Sequence, residues 1–255
     1  MTYRSTERFS NRVGDYHRAR PGYPAAVFDW LTTLGVLAPS SHVADIGAGT
    51  GLSTLPLLAH ANTVYGVEPN QAMRQAAEAQ LDDHRGFVSI NGTAEATTLP
   101  AHSVDLIVAG QAFHWFDPAP TREEWRRILK PTGQVVLMWN ERETDSTPFL
   151  QAYEALLIEH GTDYCEVNHA QVDGDRLTAF YGQPPICQRF PNKQVFDLDG
   201  MLARLRSSSY TPAPGQAGYQ PMIDAAQALF AAHQQQGQIE FLYQTVVYCG
   251  ALRAN

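Results

Sequence analysis

A glycine-rich turn followed by a single carboxylate is the part of this sequence best suited to binding a small molecule. The turn at 47–51, with the sequence GAGTG, lies between an apolar segment and a predicted helix, and its glycines let a ligand lie against bare backbone. Glu68 stands 17 residues after Gly51, at the end of a second apolar segment. A carboxylate at that place can accept both hydroxyls of a ribose, so the two features predict a ligand that contains adenosine.

The spacing of the glycines bears on which adenosine-containing ligand binds. The dinucleotide fingerprint GxGxxG places its third glycine where this chain has Leu52, so the turn reads GxGxG instead. Glu68 would repel the 2′-phosphate of NADP, and the sequence has no Tyr-x-x-x-Lys pair. These features count against an NAD-dependent oxidoreductase, which is the alternative enzyme class. The alternative outside enzymes is a non-catalytic module that binds a nucleotide.

The elements that position this turn alternate between strands and helices. Apolar runs and helical spacing predict strands over 42–46, 63–68, 87–90, 104–109 and 134–139, and helices over 23–31, 52–60, 71–81 and 120–129. Such alternation predicts an α/β fold with a parallel sheet and right-handed crossovers. Ligands of these sheets bind at the carboxyl ends of the strands, where the turn and Glu68 are expected to meet.

Beyond residue 140 the alternation stops. Helices are predicted over 148–160, 199–206 and 220–236, and strands over 186–196 and 239–249. The segment 161–185 is expected to be irregular. These elements predict a cap over the sheet and one or two late strands.

Composition and charge exclude several classes of function. The chain has 255 residues, of which 44% are hydrophobic, and a net charge of −8 that argues against nucleic-acid binding. Its three cysteines are scattered, its histidines lack metal-ligand spacing, and it has no signal peptide or apolar stretch of about 20 residues. We therefore expect a cytoplasmic protein without a metal and without membrane or nucleic-acid partners.

Five motifs in order resemble those of the class I S-adenosylmethionine (SAM)-dependent methyltransferases. They are VADIGAGTG at 43–51, VYGVEPN at 64–70, GTAEATTLP at 92–100, VDLIVAGQAFHWFD at 104–117 and RILKPTGQVVLMWNER at 127–142. The chain looks most like the small-molecule branch that includes trans-aconitate methyltransferase-like enzymes. The resemblance implies a Rossmann-like, mostly parallel seven-stranded sheet with helices on both faces and a helical cap. It also implies that 239–249 is an antiparallel strand at the sheet edge.

The resemblance implies roles for the residues that follow each strand. Residues expected to bind the methionine part of SAM are Asp45, Gly47, Ala48 and Gly49, with Gln111 and Ala112 facing the sulfonium. Glu68 is expected to hold the ribose. Residues expected to flank the adenine are Pro69, Asn70, Met73, Thr93, Ala94 and Glu95.

The charges agree with this assignment. SAM carries a sulfonium cation and no pyrophosphate, and the expected site offers Asp45, Glu68 and Glu95 without a P-loop lysine. The N-terminal segment also looks like this branch, in which it folds over the cofactor as a lid. We expect Tyr16 and Arg20 to close the methionine end.

The acceptor is expected to bind beside the segment after the fourth strand. His114 is the candidate base or positioning residue, and Trp115 is a candidate pocket wall. Further residues expected to contact the acceptor are Tyr16, Trp139 and Tyr210. The cap offers other possible lining residues, namely Tyr153, Tyr164, Tyr181, Arg204 and Arg206, and an arginine facing the pocket would favour an anionic acceptor.

The combined interpretation is a single methyltransferase domain over 1–255. It comprises a lid at 1–23, a cofactor-binding core at 24–141, a cap region at 142–236 with one strand near 186–196, and a last strand and tail at 237–255. It would move a methyl group from SAM to a small molecule by in-line displacement and release S-adenosylhomocysteine. A carboxylate or hydroxyl acceptor is favoured, and the protein is expected to be a monomer or homodimer.

Overall fold

The fold centres on one seven-stranded sheet. A computed structural model describes residues 20–162, 164, 174–208 and 210–253. The strands are β1 (His42–Ile46), β2 (Thr63–Val67), β3 (Phe87–Ile90), β4 (Val104–Gly110), β5 (Leu129–Arg142), β6 (Ile186–Phe196) and β7 (Ile239–Gly250). The strands predicted from the sequence are confirmed, although β5 begins earlier than expected.

The helices of the described residues surround this sheet. They are α1 (Ala25–Thr33), α2 (Thr54–Leu58), α3 (Gln71–Leu81), α4 (Pro118–Ile128), α5 (Pro148–His160), α6 (Gly174–Tyr181), α7 (Leu198–Arg206) and α8 (Tyr219–His233). A 3₁₀ turn at Phe113–Trp115 follows β4. No helix within the described ranges has the length and apolar character needed to span a membrane.

Side-chain caps explain where several helices begin. The side chain of Asn70 accepts a hydrogen bond from the backbone amide of Met73, which confirms it as the cap of α3. Asp117, Thr147 and Asp197 cap α4, α5 and α7 in the same way. Helices α4 and α5 also have proline in the first turn, where a missing N–H costs little.

The strand order is β3-β2-β1-β4-β5-β7-β6, with β7 antiparallel to both of its neighbours. Strand β1 pairs with β2 on one side and with β4 on the other, all three parallel. The order therefore reverses at β1, and a crevice opens there at the carboxyl ends of β1 and β4. This is the place at which the sequence predicted ligand binding.

Two sequence-based expectations are wrong. The strand at 239–249 does not lie at the sheet edge, because β7 is inserted between β5 and β6. Burial explains this order, since β7 buries residues such as Phe241 and Val247, whereas β6 is mostly exposed and contains Pro191, which edge strands tolerate. The segment 161–185, expected to be irregular, contains α6 in its described part.

The core has three parts. One face of the sheet packs against α1 and α2 through residues such as Phe28 and Val108. The other face packs against α4 and α6 through residues such as Trp125 and Phe180. Helices α5, α7 and α8 form a separate apolar cluster on the first half of β7, and we call this unit the cap.

Candidate functional site

The turn after β1 brings the ends of three strands together. Gly47, Gly49 and Gly51 all have positive φ angles, of 71°, 58° and 89°, which side chains rarely adopt. A Cβ atom on Gly47 would lie 2.7 Å from the Cβ of Ala112, which follows β4. The amides of Gly47 and Ala48 donate to the carbonyl of Val67 at the end of β2. Glycine is therefore required for the close approach as well as for the turn.

Asp45 lies behind this turn and is fully buried. Its Oδ2 accepts hydrogen bonds of 2.7 Å from the hydroxyls of both Ser53 and Thr54, at the start of α2. Its Oδ1 is buried without a hydrogen-bond partner. Burial raises the pKa of Asp45 to about 6, although the two hydroxyls act in the opposite direction.

Glu68 lies on the other side of the turn and is 8% exposed. Its Oε2 accepts from the amide of Gly49 at 3.0 Å, and its Oε1 accepts from the amide of Asn70 at 2.8 Å. Burial raises the pKa of Glu68, while these two hydrogen bonds oppose the shift. The carboxylate is thus held in place by backbone on both sides, and its remaining lone pairs can accept from a ligand.

The residues expected near the adenine lie in two places, one after β2 and one after β3. Met73 is buried, with its sulfur 3.9 Å from the position of a Cβ on Gly49, while Pro69 is exposed beside it. Thr93 is exposed and Ala94 is buried in the core. Glu95 is half-buried, and its Oε1 accepts from the amide of Asp117 and the hydroxyl of Thr121 at the start of α4.

Gln111 stands at the end of β4 with a positive φ of 56°. Its amide donates to the carbonyl of Met138, and its side chain donates to the carbonyl of Asn140 at 3.3 Å. A non-glycine residue in this conformation is uncommon and is held here by β5. Ala112 thus lies against the glycine turn, and Gln111 is bonded to β5 at the same end of the sheet.

The chain before α1 crosses the same end of the sheet. The side chain of Asn140 donates to the carbonyls of Pro21 and Gly22, and Asn192 also donates to the carbonyl of Gly22. Tyr23 packs directly against Gly110, where a Cβ would collide with its hydroxyl. Sequence reasoning did not find this asparagine contact, since Asn140 and Gly22 are 118 residues apart.

Of the two residues assigned to the lid, only Arg20 is among the described residues. It is half-buried and precedes Pro21 and Gly22, whose carbonyls accept from Asn140. Tyr16 lies outside the described residues, so its expected contacts stay a prediction.

His114 and Trp115 form the 3₁₀ turn that follows Ala112. Their rings are 4.7 Å apart, and the Trp115 side chain is 47% exposed, as a residue at a pocket mouth can be. Burial, reinforced by the positive charge of Arg176, lowers the pKa of His114 to about 4. At neutral pH the imidazole is therefore uncharged and can accept or donate a hydrogen bond.

The other residues expected to contact an acceptor are dispersed. Trp139 is buried in the core, edge-on to Phe113 and Tyr248. Tyr210 lies in the cap, with its ring 4.9 Å from that of Tyr164. Tyr181, a proposed lining residue, instead packs in the core on α6, with its hydroxyl near backbone carbonyls of β5 and β7.

Comparison with known proteins finds similarity to one family within the chain. Residues 44–137 match a family described as a methyltransferase domain. An uncharacterised methyltransferase of Mycobacterium tuberculosis is 39% identical over 135 residues, which are 53% of this chain and 53% of that protein. One from Schizosaccharomyces pombe is 33% identical over 158 residues, covering 61% and 59%. The matches span little more than half the length of these relatives.

Solved structures match over more of the chain. A protein described as a type II methyltransferase from Anaeromyxobacter dehalogenans has a TM-score of 0.63 at 22% identity, covering 92% of this chain and 99% of its own. The YcgJ protein of Bacillus subtilis has a TM-score of 0.56 at 18% identity, covering 89% and 98%. These similarities and the observed strand order show a Rossmann-like methyltransferase fold of class I.

Proposed function

We propose that this chain is a SAM-dependent methyltransferase that acts on a small-molecule acceptor. The match of residues 44–137 to a methyltransferase domain and the fold are the premise. The observation that carries the proposal is the pair of buried carboxylates, Asp45 and Glu68, on either side of the glycine turn. Two acids at this place suit a ligand with a sulfonium and an ammonium group better than one with a pyrophosphate.

Several atoms of the turn have the character that this cofactor requires. Asp45 Oδ1 and Thr50 Oγ1 are both buried and lack a protein partner. A positively charged ligand group, or water bound to it, can satisfy the buried oxygens. The acceptor oxygens of the turn therefore fit SAM.

We assign the cofactor contacts accordingly. Asp45 and the turn 47–49 hold the methionine part, Glu68 holds the ribose hydroxyls, and Gln111 and Ala112 lie by the sulfonium. The adenine is flanked by Pro69, Asn70, Met73, Thr93, Ala94 and Glu95. When bound, SAM supplies a methyl carbon attached to a cationic sulfur, which makes it a good electrophile.

The chain's own residues have to align the acceptor and exclude water. The segment 20–24 lies across the carboxyl ends of β4 and β5, where it can cover the methionine end, and Tyr16 and Arg20 are assigned to this lid. His114 is assigned to orient the acceptor through a hydrogen bond. Its lowered pKa makes it a weak base, which agrees with a carboxylate or an acidic hydroxyl as the methylated group.

A finer assignment to the trans-aconitate methyltransferase-like branch is part of the proposal and rests on the five sequence motifs. Trp115 is the proposed wall of the acceptor site, whereas Trp139 is buried in the core against Phe113 and Tyr210 lies in the cap.

Two measurements test the proposed function. A thermal-shift panel of S-adenosylhomocysteine, SAM, NAD and NADP should show stabilisation by the first two only. A mass-spectrometric assay with SAM and a panel of small acids, phenols and amines should then show a product heavier by one methylene. Stabilisation by NAD instead would indicate an oxidoreductase, and binding of SAM with no product would indicate a sensing module.

A further inference from the structure

The cap contains an arginine that has no carboxylate partner within the described residues. Arg204 lies on α7 and is 8% exposed. Its Nε donates to the hydroxyl of Tyr243 at 3.0 Å, and its Nη1 donates to the hydroxyl of Tyr153 at 3.2 Å. Its guanidinium also lies over the ring of Phe241, 4.4 Å from the centroid. All of these neighbours are electrically neutral.

A second arginine, over the ring of Tyr153, already has a carboxylate partner. Arg142 at the end of β5 pairs with Glu154 on α5, and the hydroxyl of Tyr164 bonds to both of them. Arg142 and Glu154 are partly buried and offset each other, so the buried Arg204 is the surplus positive charge among these three side chains. A buried charge without a counter-charge is costly, and contact with aromatic rings offsets that cost only in part.

Arg204 and the neighbouring Tyr153 both have N–H or O–H groups that are not used in hydrogen bonds to the described residues. A guanidinium has five N–H groups, and two of those of Arg204 are used by the tyrosines. The fully buried hydroxyl of Tyr153 accepts from Arg204, and its own proton has no acceptor in the described part of the chain. A planar fork of donors with a neighbouring hydroxyl is the arrangement that a carboxylate prefers.

The register of the sheet connects this group to the candidate site. Arg142 pairs with Tyr243, and Asn140 pairs with Thr245, so the two pairs are successive on one face of β5 and β7. Residues two apart on a strand are separated by about 7 Å. Asn140 in turn contacts Gln111 at the end of β4. Arg204 contacts the side chain of Tyr243, and the next pair on that face, Asn140 with Thr245, leads to Gln111.

We propose that Arg204 and Tyr153 form a subsite that binds a carboxylate group of the acceptor. The identification of this ligand as the acceptor rests on the proposed function, whereas the binding of a carboxylate does not. A small acceptor with an acidic group held by Arg204 would extend along β5 and β7 toward Asn140 and Gln111, where its nucleophilic atom would be presented.

Carboxylates and their uncharged amides provide a matched test. Thermal shifts are measured with glutarate against glutaramide and with benzoate against benzamide, with and without S-adenosylhomocysteine. We expect the acids to raise the wild-type melting temperature by roughly 3 °C or more at about ten times their dissociation constant, and the amides not to. Arg204→Met should abolish the difference and Tyr153→Phe should reduce it. Arg189→Met is the control, since Arg189 is exposed and pairs with Glu141 on the sheet surface.

The outcomes separate this proposal from the proposed function. Equal shifts from acids and amides, or a carboxylate shift that persists in Arg204→Met, would overturn the subsite. Absence of any shift with S-adenosylhomocysteine would overturn the proposed function and leave the carboxylate comparison interpretable. If Arg204→Met does not fold, the size of the carboxylate shift in Arg204→Lys and in Tyr153→Phe tests the subsite instead. Arg204→Lys keeps the charge but loses the planar fork.

Discussion

The backbone amide of Gly49 donates a hydrogen bond of 3.0 Å to Oε2 of Glu68, which joins the turn after β1 to the end of β2. The second carboxylate oxygen accepts from Asn70, which caps α3. One buried side chain therefore sets the position of the turn and of the next helix relative to each other. The ribose contact that we propose for Glu68 would use the same two oxygens as this structural role.

Replacing Glu68 by glutamine should weaken binding of S-adenosylhomocysteine by roughly 10- to 100-fold, measured by calorimetry. The amide group would present N–H donors to backbone N–H groups and would lose the charge that favours ribose hydroxyls, and such hydrogen bonds contribute about 1.5 to 3 kcal/mol. Glu159→Gln, at a side chain that is 77% exposed, is the control. Equal affinities in the two variants would contradict the ribose assignment.

Asp45 should make stability depend on pH in the direction opposite to most carboxylates. Its pKa is about 6 in the folded protein against an ordinary value of 3.8, so the folded state binds the proton more tightly. The stabilisation is complete below about pH 4 and is lost as the pH rises through about 6.

The matching measurement compares wild type with Asp45→Asn by chemical denaturation. The free energy of unfolding of wild type, minus that of the variant, should fall by up to about 3 kcal/mol between about pH 4 and pH 7. Asp83→Asn, at an exposed position, should show no such fall. A difference that grows with pH would mean that Asp45 is stabilised as a carboxylate.

Gly47→Ala should lower the melting temperature by roughly 6 to 12 °C. The positive φ of 71° strains a side chain, and the added Cβ would lie 2.7 Å from that of Ala112, which together cost about 3 kcal/mol. Gly174→Ala, where nothing lies within 4 Å and φ is not positive, is the control. A variant as stable as wild type would show that the loops after β1 and β4 separate readily.

His114→Ala should lower kcat by roughly 10- to 100-fold with the acceptor found in the product assay, while affinity for S-adenosylhomocysteine stays within about threefold of wild type. Because the pKa of His114 is about 4, this residue should add no ionisation to the pH–rate profile between about pH 5.5 and 8. A limb near pH 6.5 that is present in wild type and missing in the variant would instead identify a titrating base.

Asn140→Ala should release the segment before α1, because it removes hydrogen bonds to the carbonyls of Pro21 and Gly22. Hydrogen exchange of residues 20–24 should become faster, and affinity for S-adenosylhomocysteine should fall by several-fold. Asn62→Ala, at an exposed residue before β2, is the control. Unchanged exchange would show that Tyr23 on Gly110 holds the segment without Asn140.

Local pattern was enough to predict the elements that form the proposed cofactor site. The strands β1 and β2, the cap at Asn70, the glycine turn and Glu68 all follow from apolar runs and residue spacing within one βαβ unit. Within such a unit the crossover is right-handed and the strands are neighbours, so sequence separation determines spatial separation. The charge balance of the turn followed from the same residues.

The arrangement of the proposed acceptor region depends on tertiary structure. The pattern of 239–249 predicts a strand but not its insertion between β5 and β6, because any antiparallel partner satisfies the same alternation. Arg204 meets Tyr243 and Tyr153 across 39 and 51 residues. Nothing in the spacing of these residues predicts that contact, because the packing of α5, α7 and β7 into one apolar cluster creates it. The sequence thus predicted the turn and the carboxylate that we propose for cofactor binding. Only the folded cap shows that Arg204 is buried without a carboxylate partner in the part of the chain that the structure describes, because burial and charge balance are properties of packed surfaces.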